Sequence, residues 1–399
     1  MSSSPDSALQ RARQHCFLSG VGDVGEALCG LNMPYGLAKI QHVQRELGYP
    51  PDASFVGAPD ATVTRNENRW KQGFGYGGRV QWSGDFAVLD IKSNHCGMIA
   101  VAVHEPPPPA EIESRARRLM AEPLVIDDVQ VDFDLAEGNH FLDLCTVTSA
   151  EDGVKTSDTI AVIHSSGHEF RETSPRGPGI YWDQSESLAA MMETRQTPFG
   201  SLHILRDQDA ERWYAAYRYC QEFSLRRRQA LAEALLGPVT LICNRTHQGL
   251  AAINDAILGC YCFDDADLER GQLFPLTLAP ELPVYLVRPE PSFSDRALDA
   301  TGFGERAERL GLLDRLRQVN LLPHGGGYSY AQFASASRVV EHDSRRSFEL
   351  VRRDGSVELT EDVRALAAGY RGDEVRSRMV ELGLGQPVLQ ARIDYILRV

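Results

Sequence analysis

The chain contains little lysine and no hydrophobic run long enough to cross a membrane. Four of its 41 basic residues are lysines and the other 37 are arginines, while the formal net charge is −14. This charge argues against broad nonspecific binding to nucleic acid but allows a local basic groove. The arginine excess is typical of a biased genome, although guanidinium groups also suit phosphate. The opening MSSSPDSALQRARQH lacks a hydrophobic signal core, so we expect a cytoplasmic protein with no membrane span.

Several well-known catalytic and metal-binding motifs are also absent. No lysine follows a glycine, which excludes a P-loop, and neither an HExxH helix nor a GxSxG elbow occurs. The eight cysteines include no CxxC pair, so a zinc ribbon is not predicted. In a reducing compartment we expect most cysteines to be buried thiols. Cys260 and Cys262 form a C-x-C pair to which the sequence assigns no role.

The pattern of apolar residues predicts a mixed α/β (α+β) protein with a layered β-sheet core and surrounding helices. HFLDLCTVTS and DTIAVIHSS are typical of strands, and DAERWYAAYRYCQEFSLRRRQALAEALLG is a long amphipathic helix that ends at Gly237. Helices are also predicted in the stretches SDRALDATGFGERAERLGLLDRLRQVN and TEDVRALAAGYRGDEVRSRMVELGLG. We predict a disordered tail over residues 1–8 and a single domain over residues 9–399.

One cysteine and four histidines stand at the ends of apolar runs, in short segments rich in glycine, asparagine and serine. They are Cys96 in SNHCGM, His140 in EGNHFLDL, His164 in VIHSSGHEF, His247 in CNRTHQGL and His324 in LLPHGGGY. Strand ends and the loops after them are where α/β proteins place their chemistry. A thiolate with several imidazoles suits zinc, manganese, iron or cobalt. Taken singly, each residue is more often structural, because a strand-end histidine is usually hydrogen-bonded and a lone cysteine is usually a small buried side chain.

The order and wording of these segments resemble the RtcB family of RNA ligases. NHCGM, GNHFLDL, HSSG, THQGL and PHGGG are similar, in this order, to segments of that family, and GNHFLDL is the most specific of them. The helix RWYAAYRYCQEFSLRRR also resembles a Tyr/Ala-rich helix of the family. The resemblance covers roughly residues 75–399, as separate motifs, and implies an RtcB-like catalytic domain.

The resemblance also implies roles for the conspicuous residues. Cys96, His140, His164 and His247 would hold one or two divalent ions, manganese in the family, with zinc or cobalt as alternatives. His324 would attack the α-phosphate of GTP and carry the guanylate. The guanylate would pass to an RNA 3′-phosphate, or a 2′,3′-cyclic phosphate end, which would be sealed to a 5′-hydroxyl. RNA ends and GTP are therefore the expected partners, and the need for an accessory protein stays open.

A second group of residues is expected to contact the nucleotide. Glycines after His324 would let backbone N–H groups approach phosphate oxygens. An asparagine would bind phosphate, an aspartate would accept from the guanine edge, and an arginine would replace the C-terminal lysine of the family. These residues are Asn139, Asp143, Gly325, Gly326, Gly327 and Arg398.

The sequence departs from the family pattern at several positions. Ser93 stands where the family has a metal-binding aspartate, which makes the nearby Asp90 the substitute candidate. Tyr328 replaces the arginine that closes the family's nucleophile segment. Arg227 lies on the apolar stripe of the long helix, where it either pairs with a carboxylate or points at a bound phosphate of RNA. These departures keep two alternatives open: a metal-dependent phosphoesterase on the same scaffold, and a non-catalytic paralogue that binds RNA ends through its arginine runs.

Overall fold

The computed structural model describes residues 4–135, 138–342 and 345–397. The helices of this part of the chain are α1 (Pro5–Gln14), α2 (Val24–Glu46), α3 (Glu67–Lys71), α4 (Pro109–Ala121), α5 (Glu186–Met191), α6 (Asp207–Leu236), α7 (Asp265–Glu269), α8 (Asp295–Thr301), α9 (Gly304–Leu310), α10 (Leu313–Arg317) and α11 (Asp373–Glu381). A short 3-10 turn covers Leu89–Ile91. None of the helices in the described ranges combines the length and the apolar character needed to cross a membrane.

The strands of the same ranges follow in chain order. They are β1 (Cys16–Leu18), β2 (Ser54–Thr62), β3 (Tyr76–Gln81), β4 (Phe86–Val88), β5 (Gly97–Val103), β6 (Val125–Ile126), β7 (Val129–Gln130), β8 (Phe141–Ala150), β9 (Thr159–Ser165), β10 (Glu193–Thr197), β11 (Gly200–Arg206), β12 (Val239–Thr246), β13 (Gln248–Ala252), β14 (Asp255–Leu258), β15 (Cys260–Cys262), β16 (Phe274–Thr277), β17 (Val284–Pro289), β18 (Leu321–Pro323), β19 (Tyr328–Ser329), β20 (Phe333–His342), β21 (Arg345–Arg352), β22 (Val357–Thr360), β23 (Gly369–Tyr370) and β24 (Gly385–Leu397).

Two sheets carry most of the strands. The larger has the order β12-β5-β9-β8-β24-β17-β16, with every neighbouring pair antiparallel. The smaller has the order β1-β2-β3-β14-β13, and only its β1–β2 pair is parallel. Several sheets and surrounding helices confirm the predicted mixed α/β class.

The centre of the larger sheet is buried on both faces. All seven residues of β5 are buried, and all but the first residue of β9 are buried as well. Helix α6 covers this sheet with the aromatic side chains of Trp213, Tyr217 and Phe223. A central side chain such as Ile163 is fully buried, so its truncation to alanine is expected to cost about 2–5 kcal/mol.

The long helix ends as predicted, at Gly237 with a positive φ of 83°, but other helix predictions are wrong in part. Residues 5–8 belong to α1, which is capped by the Ser4 side chain, so the expected disordered tail does not extend to residue 8. The stretch after Ser294 breaks into three short helices, because Gly302 and Gly311 end α8 and α9 in left-handed conformation. In the last predicted helical stretch only α11 is helical, and part of the remainder forms β23.

The strand register explains why distant motifs meet. Phe141 of β8 and Met98 of β5 both lie opposite His164 of β9. Cys96 and His140 immediately precede β5 and β8, so both lie at the edge of the larger sheet where His164 is found. His247 is the residue between β12 of the larger sheet and β13 of the smaller one, and it therefore sits at the junction of the two sheets.

Candidate metal centre and catalytic cleft

Three of the predicted metal ligands converge. The ligand atoms of Cys96, His164 and His247 all lie within 4.8 Å of one another, and all three residues are buried. The Cys96 Sγ is 3.0 Å from His164 Nε2. Metal–ligand bonds of about 2.0–2.3 Å leave room for one ion between such atoms. In the part of the chain that the structure describes, this is the one group of three His, Cys, Asp or Glu side chains with this spacing.

The two imidazoles of this group are prepared for an ion in different ways. His164 Nδ1 lies 3.0 Å from the carbonyl oxygen of Asn139, so Nδ1 donates and the lone pair of Nε2 faces the thiol. Neither ring nitrogen of His247 has a hydrogen-bond partner among the described residues, although both are buried. Buried polar atoms without partners are uncommon and costly, and a metal ion at this position would satisfy one of the two nitrogens.

Two arginines clamp the loop that carries Cys96. Arg69 donates to the carbonyl oxygens of Ile91 and Lys92 at 2.7 and 2.6 Å, and Arg228 donates to that of His95 at 3.0 Å. Lys92 and His95 have positive φ angles of 48° and 60°, a strained backbone that such bonds hold in place. Within the described ranges neither guanidinium forms an ion pair with a carboxylate, so the loop lies between two uncompensated positive charges.

The electrostatics of the thiol follow from these neighbours. Burial alone would raise the pKa of Cys96, but its interactions with His164, His247 and His140 outweigh burial and hold that pKa well below its usual range. The thiolate, which is the form that binds metal, is therefore favoured.

His140 lies beside the thiol but does not join the compact group. Its Nε2 is 3.7 Å from Cys96 Sγ, and its Nδ1 is 3.0 Å from the carboxylate of Asp134. Burial lowers the pKa of His140, but hydrogen bonds with Asp134 and Cys96 raise it overall to about 10. The structure thus places His140 beside the centre, as an imidazole tied to a carboxylate, and no sequence signal pointed to Asp134.

The structure corrects two site predictions, Arg227 as a phosphate contact and Asp90 as a metal ligand. Arg227 is fully buried and pairs with Asp134 at 2.9 Å and Glu169 at 2.6 Å. It therefore pairs with carboxylates, the first of its two expected roles, and does not point at a bound phosphate. Asp90 accepts from the ring Nδ1 of His203 at 2.8 Å and from its main-chain nitrogen at 2.9 Å. Both oxygens of Asp90 are therefore engaged with His203, and Asp90 is not part of the converging group.

The remaining donor set is one thiolate and two imidazoles. Such ligands fit zinc, cobalt or iron, whereas manganese prefers carboxylate and water oxygens. The residues present therefore fit a divalent ion of the zinc or cobalt class better than the manganese that the family resemblance implied.

His324 is held beside this centre by a residue that the sequence did not reveal. Asp60 Oδ2 lies 2.8 Å from His324 Nδ1 and accepts from the main-chain nitrogens of His324 and Gly325 at 3.1 and 3.3 Å. The rings of His324 and His247 are 4.3 Å apart. Asp60 lies in β2, all of whose residues are buried, and a lone carboxylate in such a strand is the signal that sequence reasoning missed, since buried charges are paired.

A cleft opens in front of His324. It brings together His164 with most of the predicted nucleotide contacts, and Phe141 and Tyr370 also line it. Its lining residues include Asn139, Asp143, Gly325, Gly326 and Gly327. Arg398 lies outside the described residues.

The three glycines line the cleft, and close packing against neighbouring backbone leaves little room for a side chain at these positions. A Cβ on Gly326 would lie 2.3 Å from the carbonyl oxygen of Arg371, and one on Gly327 would lie 2.4 Å from that of Asp60. Gly327 also has a φ of 66°. Tyr328, which replaces the expected arginine, stacks on Tyr370 with ring centroids 5.5 Å apart. The glycines therefore bring the loop that carries His324 against the strand that carries Asp60.

Comparison of the chain with models of known protein families finds no match, and comparison with curated protein sequences finds no match either. The likeness to RNA ligases therefore consists of the ordered motifs alone, and the function is argued from the geometry of the cleft and the centre.

Proposed function

We propose that this protein is a metal- and GTP-dependent RNA ligase that carries guanylate on His324. The observation that carries the proposal is the position of His324, whose Nδ1 is held by Asp60 at 2.8 Å while its ring lies 4.3 Å from that of the candidate ligand His247. A histidine oriented by a carboxylate beside a candidate metal centre, and lining a cleft, is arranged for phosphoryl transfer.

His324 and Asp60 would share the first step. With Nδ1 donating to Asp60, the lone pair of Nε2 is the nucleophile. Nε2 attacks the α-phosphorus of GTP, a nitrogen–phosphorus bond forms, and the bond from this phosphorus to the bridging oxygen breaks as pyrophosphate leaves. The imidazole becomes positively charged in this step, and the Asp60 carboxylate stabilises that charge without taking the proton.

The centre and its surroundings favour an anionic substrate. A divalent ion held by Cys96, His164 and His247 would supply charge neutralisation for phosphate oxygens. The buried guanidiniums of Arg69 and Arg228 add positive charge near the same thiol without touching the cleft. Asn139 would donate to a phosphate oxygen, and Asp143 would accept from the guanine edge.

The later steps transfer and release the guanylate. An oxygen of an RNA 3′-phosphate attacks the guanylate phosphorus and the bond to His324 Nε2 breaks, which leaves a neutral imidazole. A 5′-hydroxyl then attacks the activated RNA phosphate, gives up its proton, and displaces guanosine monophosphate. The ends are joined by a phosphodiester.

The direct test is incubation of the purified protein with α-labelled GTP and a divalent ion, with cobalt, zinc and manganese compared. We expect a protein adduct that is labile in acid and stable in alkali, as a phosphoramidate is, and that His324→Ala abolishes. His342→Ala, on the distant strand β20, is the matched control. A metal-loaded wild-type protein that stays unlabelled would contradict the proposal.

One observation favours a second candidate, a metal-dependent phosphoesterase. No arginine or lysine lines the cleft among the described residues, because Tyr328 replaces the expected arginine and the nearby Arg371 is bound to Asp23. Such a cleft suits a substrate with less charge than a triphosphate. Release of phosphate from a 2′,3′-cyclic phosphate end without GTP would favour this candidate, and a strict requirement for GTP would count against it.

The third alternative, RNA binding through arginine runs, would rest on the exposed members of those runs, such as Arg226, Arg345 and Arg352, because the other members are engaged within the fold. Arg227 and Arg228 are fully buried, and Arg346 donates to the side-chain oxygen of Asn32 and lies over the ring of Tyr35. These side chains support the fold and are not presented to a nucleic acid.

A further inference from the structure

The C-x-C pair of β15 lies in a strand that contacts both His247 and the strand leading to His324. The main-chain nitrogens of Gly259 and Cys260 donate to the carbonyl oxygen of His247 at 2.8 and 3.1 Å. The ring of Tyr261 packs edge-on against that of His247, with centroids 5.7 Å apart. Strand β15 therefore holds a candidate metal ligand through both its backbone and its central side chain.

The same short strand also holds the nucleophile loop. Strand β15 pairs with β18 in antiparallel register, with Cys260 opposite Pro323 and Cys262 opposite Leu321. His324 is the residue after Pro323. A change in the pleat of β15 would thus be transmitted to His247 on one side and to His324 on the other.

The two thiols are placed to react with each other. Residues two apart in a strand share a face, so the side chains of Cys260 and Cys262 lie on the same face of β15. Cys260 is fully buried, whereas Cys262 is partly exposed. The hydrogen bond from Cys260 and the charge of Arg79 lower the pKa of Cys262, which increases its thiolate fraction.

We propose that Cys260 and Cys262 form a reversible disulfide when a peroxide oxidises Cys262, and that this disulfide switches off the neighbouring site. The Cys262 thiolate attacks the peroxide, the oxygen–oxygen bond breaks, and Cys262 becomes a sulfenic acid as water or an alcohol leaves. The sulfur of Cys260 then attacks this sulfenic sulfur, the sulfur–oxygen bond breaks, and water leaves with the Cys260 proton. Two thiols are oxidised by two electrons and one peroxide is reduced.

The geometry explains why the bond would act as a switch. Two residues of an extended strand span about 6.7 Å between Cα atoms, whereas disulfides most often join Cα atoms about 5.5–6 Å apart. Closing the bond therefore contracts β15 by roughly 1 Å, and a displacement of this size at a catalytic group reduces rates by about a hundredfold. A disulfide under such strain is easily reduced again.

The test uses the whole protein loaded with metal, treated with hydrogen peroxide, alkylated and digested with trypsin. Residues 246–270 form one tryptic peptide that contains Cys260 and Cys262 and no other cysteine, while Cys96 and Cys243 fall in separate peptides. We expect the 246–270 peptide to escape alkylation and to be lighter by two hydrogen atoms, with Cys96 still alkylated after metal removal. A reductant should restore both alkylation sites.

Two variants distinguish the effect of the Cys260–Cys262 disulfide from the effect of oxidation elsewhere in the protein. Cys262→Ser should keep its guanylylation after peroxide, while Cys243→Ser, which removes another buried thiol, should lose it by about tenfold or more, as the wild type does. Loss of activity with both thiols of the 246–270 peptide still free would overturn the proposal, and so would a disulfide that leaves activity unchanged. The disulfide itself does not depend on the proposed function. Its mass signature, and any change that it causes in the optical absorption of cobalt bound at the centre, can be measured in a protein that never binds GTP.

Discussion

Two buried aspartate–histidine pairs in this protein have nearly the same local geometry. In each, the carboxylate lies 2.8 Å from the ring Nδ1 of the histidine and also accepts from its main-chain nitrogen, at 3.1 Å for Asp60 and His324 and 2.9 Å for Asp90 and His203. Their surroundings differ. The ring of His324 faces His247 and the cleft, whereas that of His203 lies against Trp182, with centroids 4.1 Å apart.

The comparison shows that an oriented histidine is not by itself a site. Asp60 and Asp90 do the same thing to their partners: each fixes the tautomer so that Nε2 keeps its lone pair. Only His324 lies beside the candidate ligand His247 and lines the cleft. The chemistry therefore depends on what lies within a few ångströms of the pair, and each of the following experiments treats the His203 pair or another distant residue as the control for the His324 pair.

The largest effect is expected on metal binding. His247→Ala should abolish the cobalt–thiolate absorption band of the protein, because it removes one of three ligands, whereas His203→Ala should leave the band unchanged. His140→Ala should weaken cobalt binding by no more than about 10–100-fold, as loss of a neighbouring group does. An equal loss in His140→Ala and His247→Ala would show that His140 is a ligand as well.

The next effect is expected on the rate of guanylylation. Asp60→Asn should reduce the rate by about a thousandfold or more, because the amide no longer fixes the tautomer or stabilises the charged imidazole. Asp90→Asn should leave the rate of labelling from GTP unchanged. Cobalt binding serves as the check on folding in both variants, and equal rates in the two variants would remove the distinction between the pairs.

Acid should destabilise the metal-free site through His247. Burial and the neighbouring charge of His324 lower the pKa of His247 to about 3. The unfolded chain binds this proton near pH 6.5 and the folded chain does not, so the stability of the metal-free protein falls as pH drops below about 6.5 and this loss is complete near pH 3. The slope per such group is at most about 1.4 kcal/mol per pH unit. His247→Gln should reduce the slope measured by urea unfolding, with His42→Gln, at a partly exposed position of α2, as the comparison variant.

The smallest effect is expected on the free energy of unfolding, because the two aspartate–histidine pairs have the same hydrogen bonds. Asp60→Asn and Asp90→Asn should each lower the free energy of unfolding by about 1–3 kcal/mol, because each weakens hydrogen bonds of a buried carboxylate to a ring and to a main-chain nitrogen. Urea titrations at neutral pH measure both values. A difference of several kcal/mol would show that the surroundings, and not the shared hydrogen bonds, decide the stability of the pairs.

Sequence reasoning located the candidate residues that adjoin or lie in predicted strands. Cys96, His140 and His164 adjoin or lie in strands that the apolar runs predicted, and the register brings these strands side by side. It failed where a residue's role depends on a distant partner. Asp60 lies 264 positions before His324 in the chain, and Arg227 meets Asp134 and Glu169 only after α6 packs on the sheet. The residues after Thr360 were predicted as helix because pattern alone does not show that Gly369 and Tyr370 pair with β19.

The sequence by itself determined the mixed α/β class, the long helix α6 and the set of histidines and cysteine from which the site is built, because hydrophobic periodicity and local motifs act over a few neighbouring residues. Only the tertiary structure decided which of these residues meet. Packing of the two sheets brings Cys96, His164 and His247 together. It also places three histidines beside carboxylates: His140 beside Asp134, His203 beside Asp90 and His324 beside Asp60. Hydrogen bonds and charges act over a few ångströms, and the fold alone determines which residues come that close.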